Sequence, residues 1–121
     1  MENKEMALLA ATTLSKKKGI DIKLIDVAEK SSFADYLIIA SGRTAAQVSA
    51  LAEIVGESME KDGCRLRRSE GIRDGRWAVL DYGDIMVHIF HRDERAYYGL
   101  DDLWNDGTNA IDLPFDQTDE T

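Results

Sequence analysis

The sequence predicts one α/β domain of the α+β type, in which a mixed sheet of about five strands is packed with helices. The 121 residues have the length of a single domain, and a chain of this size buries roughly 65% of the surface that it exposes when unfolded. A hydrophobic content of 44% and a charged content of 31% are typical of globular proteins. The apolar pattern changes between helical and strand periods in the order α-β-β-α-β-β-β-α, which indicates helices packed on one sheet.

The first half of the chain predicts two helices separated by two strands. Residues 4–18 are predicted to form a helix, and residues 20–28 a strand whose later part is buried. The continuous apolar run at 36–40 predicts a central strand that is buried on both faces. The second helix begins at Thr44 and Gln47, which form a capping box in which each side chain satisfies a backbone N–H. Its apolar stripe recurs on the helical period and consists of Val48, Leu51, Ala52, Val55 and Met59.

The second half predicts three more strands. Residues 65–68 suggest a poorly buried strand, and Asp74-Gly75 is a hairpin turn signal. Two strands follow at 77–81 and 85–90. Strict alternation along the first of these places one set of side chains on one sheet face, namely Trp77, Val79 and Asp81, and leaves Ala78 and Leu80 on the other.

A last helix is expected to be capped by Asp93. One apolar side of this helix is predicted to contain Tyr97, Leu100, Leu103 and Trp104. Beyond Gly107 the hydrophobic pattern ends, so we expect a domain of residues 1–107 followed by a flexible, acidic tail of residues 108–121.

The charge is distributed unevenly along the chain. Residues 1–100 hold all 15 lysines and arginines and have a net charge of −1, whereas residues 101–121 hold no base and have a net charge of −7. A nearly neutral body exerts no general attraction on a phosphate backbone, and an acidic tail repels it. The sequence therefore predicts no sequence-specific nucleic-acid partner.

Composition and local pattern also exclude several classes of protein. The single Cys64 excludes an internal disulfide and a cysteine-based zinc site. The chain starts with charged residues and no apolar stretch follows them, so no signal peptide is expected. The longest apolar runs are too short to cross a bilayer. Together these observations predict a cytoplasmic protein without a membrane partner.

A phosphate-binding loop is the first catalytic feature to consider. Ser41 and Gly42 lie between a buried strand and a capped helix, an order that resembles nucleotidyltransferases. Those enzymes hold magnesium with paired carboxylates on the following strand, whereas residues 65–68 are mostly arginine. His88 and His91 are expected on opposite strand faces, which disfavours a shared metal. We therefore expect a nucleotidyltransferase-like fold without catalytic carboxylates, without a cofactor and without enzymatic activity.

Trp77 is the residue that the fold alone explains least well. It shares a predicted strand face with Val79 and Asp81 and is close in sequence to Tyr82. A tryptophan, a tyrosine and a carboxylate on one surface are typical of a binding hot spot. The alternative, a core tryptophan beneath a helix, fits the composition equally well.

The order and spacing of several short motifs over residues 4–106 resemble the ribosomal silencing factor family, also called Iojap. The first block of the resemblance consists of Asp21-Ile22, Ile25-Asp26-Val27, Ser32, Ala34-Asp35-Tyr36 and Ile38-Ile39-Ala40-Ser41-Gly42. The second consists of Glu70-Gly71, Trp77, Leu80-Asp81-Tyr82-Gly83-Asp84, Val87-His88-Ile89-Phe90, Tyr97-Tyr98, Leu100 and Leu103-Trp104. Each motif is weak alone, but their combination is specific.

The resemblance implies a function based on binding. Members of this family bind the large ribosomal subunit through ribosomal protein fourteen, block its association with the small subunit and so repress translation when nutrients are scarce. It also implies a fold similar to nucleotidyltransferases without their catalytic residues, no cofactor, and a homodimer when the protein is free.

The family motif and the strand alternation together suggest the binding residues. Trp77 is expected to be the apolar anchor, with Val79 beside it and Tyr82 at the rim. Charge complementarity to a basic ribosomal protein is expected from Glu70, Asp81 and Asp84. Two alternatives remain at this point, a nucleotidyltransferase-like enzyme with other ligands and a protein-interaction module unrelated to the ribosome.

Overall fold

The computed structural model describes residues 2–117, which form one mixed sheet with helices on both of its faces. The predicted α+β class is confirmed. In chain order the elements are α1 (Asn3–Lys16), β1 (Ile20–Asp26), β2 (Tyr36–Gly42), α2 (Ala45–Lys61), β3 (Arg68–Glu70), β4 (Trp77–Asp81), β5 (Ile85–His91), α3 (Arg92–Tyr98) and α4 (Leu100–Trp104).

The sheet has the strand order β1-β2-β5-β4-β3. Only β2 and β5 pair in parallel, and the other neighbours are antiparallel. The segment from α2 to β4 forms the long connection that a parallel pair needs. Because β2 lies between two strands and both sheet faces are covered there, its residues are buried on both sides, as predicted.

The predicted strand at 65–68 is displaced. The structure places β3 at Arg68–Glu70, where it forms a hairpin with β4. The reason is the length of β4, which ends at Asp81, so that residues before Arg67 have no strand to pair with. The predicted hairpin itself is confirmed, with a loop of residues 71–76.

Helices α1 and α2 cover one face of the sheet. All five residues of the predicted α2 stripe are buried in the core beneath it. The cap is only half as predicted. Thr44 Oγ1 accepts a hydrogen bond from the Gln47 N–H at 3.0 Å, whereas Gln47 Oε1 accepts from the N–H of Arg43 at 2.6 Å and not from that of Thr44.

The opposite face is covered only in part. Helices α3 and α4 pack over β1, β2 and β5, with Leu100 and Trp104 against a small apolar cluster. The predicted single apolar side of this helix is wrong, since Tyr97 is 86% exposed and Leu103 is 69% exposed. Gly99, at a φ of 63° that favours glycine, ends α3 and turns α4 to a new direction. The residue that caps the N-terminus of α3 is His91 and not the predicted Asp93, because His91 Nδ1 accepts a hydrogen bond from the Asp93 N–H.

Residues 109–117 run along the outer edge of β1. The Asp26 N–H donates to the Asn109 carbonyl at 2.9 Å, and the Ile111 N–H donates to the Leu24 carbonyl at 2.8 Å. The Gln117 amide closes this row by bonding both the N–H and the carbonyl of Ile22. These bonds satisfy an edge that would otherwise be free to pair with another chain. We call residues 109–117 the edge strap.

The edge strap belongs to the segment that the sequence predicts as a flexible tail. Up to Gln117 this segment is hydrogen-bonded to β1 and packs apolar side chains on the core. The last four residues of the predicted tail lie outside the described residues. The division into a domain of 1–107 and a tail of 108–121 stays a prediction. Among the described residues, no helix is long and apolar enough to span a membrane.

Candidate partner-binding face

The half of the sheet formed by β3, β4 and part of β5 is left uncovered on the face that carries α3 and α4. Strand alternation directs six of the side chains that line a shallow groove of about 380 Å³ toward this surface, and Arg68 lies at its border beside the other five. Val79 lies opposite His88 and beside Glu70 in the strand register. We call this surface the open face and define it by Glu70, Trp77, Val79, Met86 and His88.

Trp77 is half-buried, with one side against the protein and the other in the groove. Its ring stacks on Phe90 at a centroid distance of 5.0 Å and meets Tyr98 at 4.6 Å. Its Nε1–H donates a hydrogen bond to His88 Nδ1 at 3.0 Å. The indole is therefore held in one orientation, which lowers the entropy that a binding partner must remove. Trp77 is therefore neither a wholly buried core tryptophan nor a freely exposed one.

His88 is buried and supports Trp77 from the neighbouring strand. Burial lowers the pKa of His88 to about 4, although the nearby charge of Asp81 opposes this shift. The imidazole is thus neutral near pH 7, and its Nδ1 accepts the indole proton because the ring proton lies on Nε2. Because His88 is neutral, it adds no charge to the groove, and the charged side chains lie at the border of the groove.

The carboxylates predicted for the site lie at different distances from Trp77. Glu70 is exposed on β3 and lines the groove. Asp81 shares the face but lies four residues along β4, where its carboxylate accepts from the Gly83 N–H at 2.8 Å and lies 3.7 Å from the Arg68 guanidinium. Asp84 is exposed in the turn beyond β4, at the opposite end of the strand from Trp77. Only Glu70 is therefore adjacent to the anchor.

Tyr82 does not lie at the rim of the open face. Its side chain is only 6% exposed and packs in the core beneath α1 and α2, on the same side as Ala78 and Leu80. Alternation explains this placement, since even-numbered residues of this strand face the helices and the parity continues into the turn. Burial, with smaller contributions from Cys64 and Glu60, raises the pKa of Tyr82 to about 12.

Sequence reasoning missed four residues that shape this surface, namely Met86, His88, Phe90 and Tyr98. Met86 and His88 already alternate with the apolar core positions of β5, but only the register of β4 against β5 places them beside Trp77. Phe90 lies opposite Trp77 in that register. Tyr98 comes from α3, where its ring is tilted against Trp77 and stacked on Phe90, and no local pattern indicates these contacts.

The loop that resembles a phosphate-binding turn is filled by an arginine. Ser41 Oγ is buried and accepts a hydrogen bond from Arg95 Nη1 at 3.0 Å. The same guanidinium donates to both carboxylate oxygens of Asp101, at 3.0 and 2.7 Å. Within residues 2–117, no three His, Cys, Asp or Glu side chains come together as a metal site would require. This region is organised as an ion pair between a buried arginine and a partly exposed aspartate.

These features define a class of protein, a mixed-sheet α+β domain with one uncovered sheet face that carries a fixed aromatic anchor. The chain belongs to the ribosomal silencing factor family, because its residues 1–121 match the family described as "Ribosomal silencing factor during starvation". This match extends beyond the residues 4–106 over which the short motifs resemble the family.

Known relatives agree with this assignment. The chain is 37% identical to the ribosomal silencing factor RsfS of Bacillus subtilis over 95% of this chain and 97% of that protein. It is 30% identical to the chloroplastic protein Iojap of Zea mays over 91% of this chain and 47% of that longer protein. A crystal structure of a Chromobacterium violaceum protein superimposes with a TM-score of 0.84 and 32% identity, covering 98% of this chain and 97% of that one.

Proposed function

We propose that this chain binds the large ribosomal subunit through ribosomal protein fourteen, blocks association with the small subunit and thereby represses translation. The family membership and the names of the relatives, which are ribosomal silencing factors, support a role at the ribosome. In this proposal the chain acts by occupancy, without a cofactor and without catalysis, in the cytoplasm where ribosomes work.

The observation that carries the proposal is the open face with Trp77 fixed in it. A binding hot spot needs an aromatic side chain that is held rigidly and is still reachable. Trp77 meets both conditions, because Phe90, Tyr98 and His88 hold the ring while part of it still lines the groove. Val79 and Met86 extend the apolar surface beside it.

Arg68 and Glu70 both line the groove, and because the Arg68 guanidinium lies 3.7 Å from Asp81, Glu70 is the one place there that suits a basic partner. Glu70 borders the groove, and no described residue forms an ion pair with it. Asp81 is already shared between Arg68 and the turn, so it contributes less to a partner. Charges at the border of an interface mainly guide association and set orientation, and the apolar anchor supplies most of the affinity.

Steric exclusion is sufficient for the proposed repression. A folded domain of this length has a radius of gyration of roughly 14 Å. A body of that size on the joining surface of one subunit holds the two surfaces much farther apart than their contacts can reach. The degree of repression then follows the fraction of large subunits that are occupied.

Sedimentation of the purified chain with separated ribosomal subunits tests the proposal. We expect the chain to migrate with the large subunit, and joined ribosomes to decrease when the small subunit is added. Val79→Arg, which places a charged side chain in the groove, should abolish both effects. The matched control is Ala50→Arg, at an exposed position of α2 across the sheet, which should behave as wild type.

Protein that stays at the top of the gradient, with subunit joining unchanged, would contradict the proposal and favour an interaction module unrelated to the ribosome. Equal loss of binding by both arginine variants would place the contact away from the open face. The proposal also includes a homodimer of the free chain, which light scattering of the purified protein tests directly.

A further inference from the structure

A second groove, of about 640 Å³, lies on the side of the molecule that carries α1 and α2, between α2 and the segment that follows it. Three glutamates of α2 line it, Glu53, Glu57 and Glu60, and all three are exposed. Their spacing of four and three residues places them along one side of the helix over roughly 10 Å. None of them forms an ion pair with a described residue.

The floor of this acidic groove is apolar. Gly56 lies between the glutamates, and a side chain built there would meet open space. Leu66 is 41% exposed beside it, and Cys64 lines the inner part. Arg65 is the one basic residue in the lining, so the groove keeps a net negative charge. An apolar floor with acidic sides fits a side chain that has an aliphatic stem and a cationic head.

Tyr82 provides an independent sign that the groove is built for a ligand. Its side chain lines the inner wall and is 6% exposed, and its hydroxyl has no hydrogen-bond partner among the described residues. Leaving a buried hydroxyl without a partner is unfavourable, because it loses its hydrogen bonds to water on folding and gains none in return. Buried polar groups of this kind are rare in folded proteins and call for an explanation. The oxygen itself is buried, so a donor or acceptor on a bound partner reaches it only when an exposed side chain of the lining, such as Leu66, moves aside.

We propose that this groove is a docking site for an extended segment of a partner protein that is rich in lysine or arginine. Alternate side chains of an extended chain are about 6.6 Å apart on one side, close to the rise of roughly 6 Å from Glu53 to Glu57. The rise from Glu57 to Glu60 is roughly 4.5 Å, a difference that the long stem of a lysine or arginine can span. The aliphatic stems of the partner's lysine or arginine side chains would lie on Gly56 and Leu66, and their charged heads would reach the three glutamate carboxylates. The site is separate from the open face, because α2 packs on the opposite side of the sheet.

Fluorescence anisotropy with a labelled nine-residue peptide of alternating lysine and serine tests this site. We expect the wild-type chain to bind the peptide, and Glu53→Gln/Glu57→Gln to weaken binding at least tenfold. The matched control is Glu29→Gln/Asp112→Asn, which removes the same number of charges from exposed positions outside the groove and should change binding less than twofold. Equal weakening by the two pairs would show attraction by overall charge and would overturn the proposal, as would a wild-type chain that does not bind.

Tyr82→Phe tests the hydroxyl without disturbing the shape of the groove. We expect peptide binding to weaken about threefold while the urea midpoint of unfolding stays the same or rises. A decrease of that midpoint would instead show that the hydroxyl is a structural group, and unchanged peptide binding would remove it from the site. Spermidine serves as the competitor. Displacement of the peptide by spermidine at an equal concentration would overturn the assignment to a protein segment in favour of a small polyamine.

Discussion

The indole Nε1–H of Trp77 donates a 3.0 Å hydrogen bond to Nδ1 of His88, which lies on the neighbouring strand. The bond requires a neutral imidazole, because a protonated ring has no free lone pair to accept with. The anchor of the open face is therefore linked to the protonation of a buried residue, and the stability of the fold depends on pH through the same contact.

Acidification should destabilise the fold through His88. Its pKa is about 4 in the folded protein and about 6.5 in an unfolded chain, so the unfolded state binds more protons between these values. The free energy of unfolding should therefore fall as the pH decreases from about 6.5 to about 4, with a loss of about 2 kcal/mol at pH 5. Urea unfolding between pH 7 and pH 5 measures it.

The control for this pH dependence is His88→Asn, which keeps an acceptor near the indole but does not titrate. Its unfolding free energy should change less steeply with pH than that of the wild type. If the two slopes are equal, His88 is not the group responsible.

Replacement of Trp77 should separate the anchor from the rest of the open face. Trp77→Ala should weaken large-subunit binding by about 2 kcal/mol, or roughly thirtyfold in Kd, since it removes the main apolar contact. Trp77→Phe retains the stack on Phe90 and should weaken binding less. Titration of labelled protein with large subunits gives both values, and circular dichroism checks the fold. An alanine variant that folds normally and binds as tightly as wild type would exclude Trp77 as the anchor, and one that unfolds would show it to be core.

The ion pair between the buried Arg95 and the partly exposed Asp101 should be important for stability. Burial by itself raises the pKa of Asp101, but the hydrogen bonds and charge of Arg95, with the charge of Lys23, outweigh this and hold it below its usual value. Asp101→Asn leaves the buried guanidinium without its nearest counter-charge, with only the exposed Asp21 carboxylate at 3.8 Å, and should cost about 2 kcal/mol of unfolding free energy. The neighbouring Asp102→Asn, at an exposed position, should change it by less than about 0.5 kcal/mol. Similar effects of the two variants would contradict this view of the pair.

Removal of the edge strap should expose β1. Truncation after Gly107 removes the backbone bonds to Leu24 and Asp26 and uncovers the outer edge of the strand. We expect a lower urea midpoint and concentration-dependent association, because a free edge pairs readily with other chains. Truncation after Gln117 keeps the strap and should behave as the full chain. If the shorter protein is as stable and as monodisperse as the full chain, residues 108–121 act as the flexible tail that the sequence predicts.

The face that carries Trp77 could be predicted in part from the sequence. Alternation along β4 correctly separates Trp77, Val79 and Asp81 from the two core residues, because the period of a strand is a local property. The same rule, applied one residue farther, would have placed Tyr82 on the sheet face that α1 and α2 cover. The prediction that Tyr82 lies at the rim of the open face rested on its closeness in sequence to Trp77, and the burial of Tyr82 shows that this closeness was misleading.

The sequence by itself determined most of the helices and strands of this protein and the buried sides of α2, β2 and β4. The stripe of α2, the doubly buried β2 and the hairpin of β3 and β4 each depend on residues within a few positions of one another. Only the tertiary structure decided that β5 pairs with both β2 and β4, and that the strap covers β1. It also placed His88 and Tyr98 against Trp77. These contacts join distant parts of the chain, so strand register and the competition among possible partners decide them, and a local pattern carries no information about either.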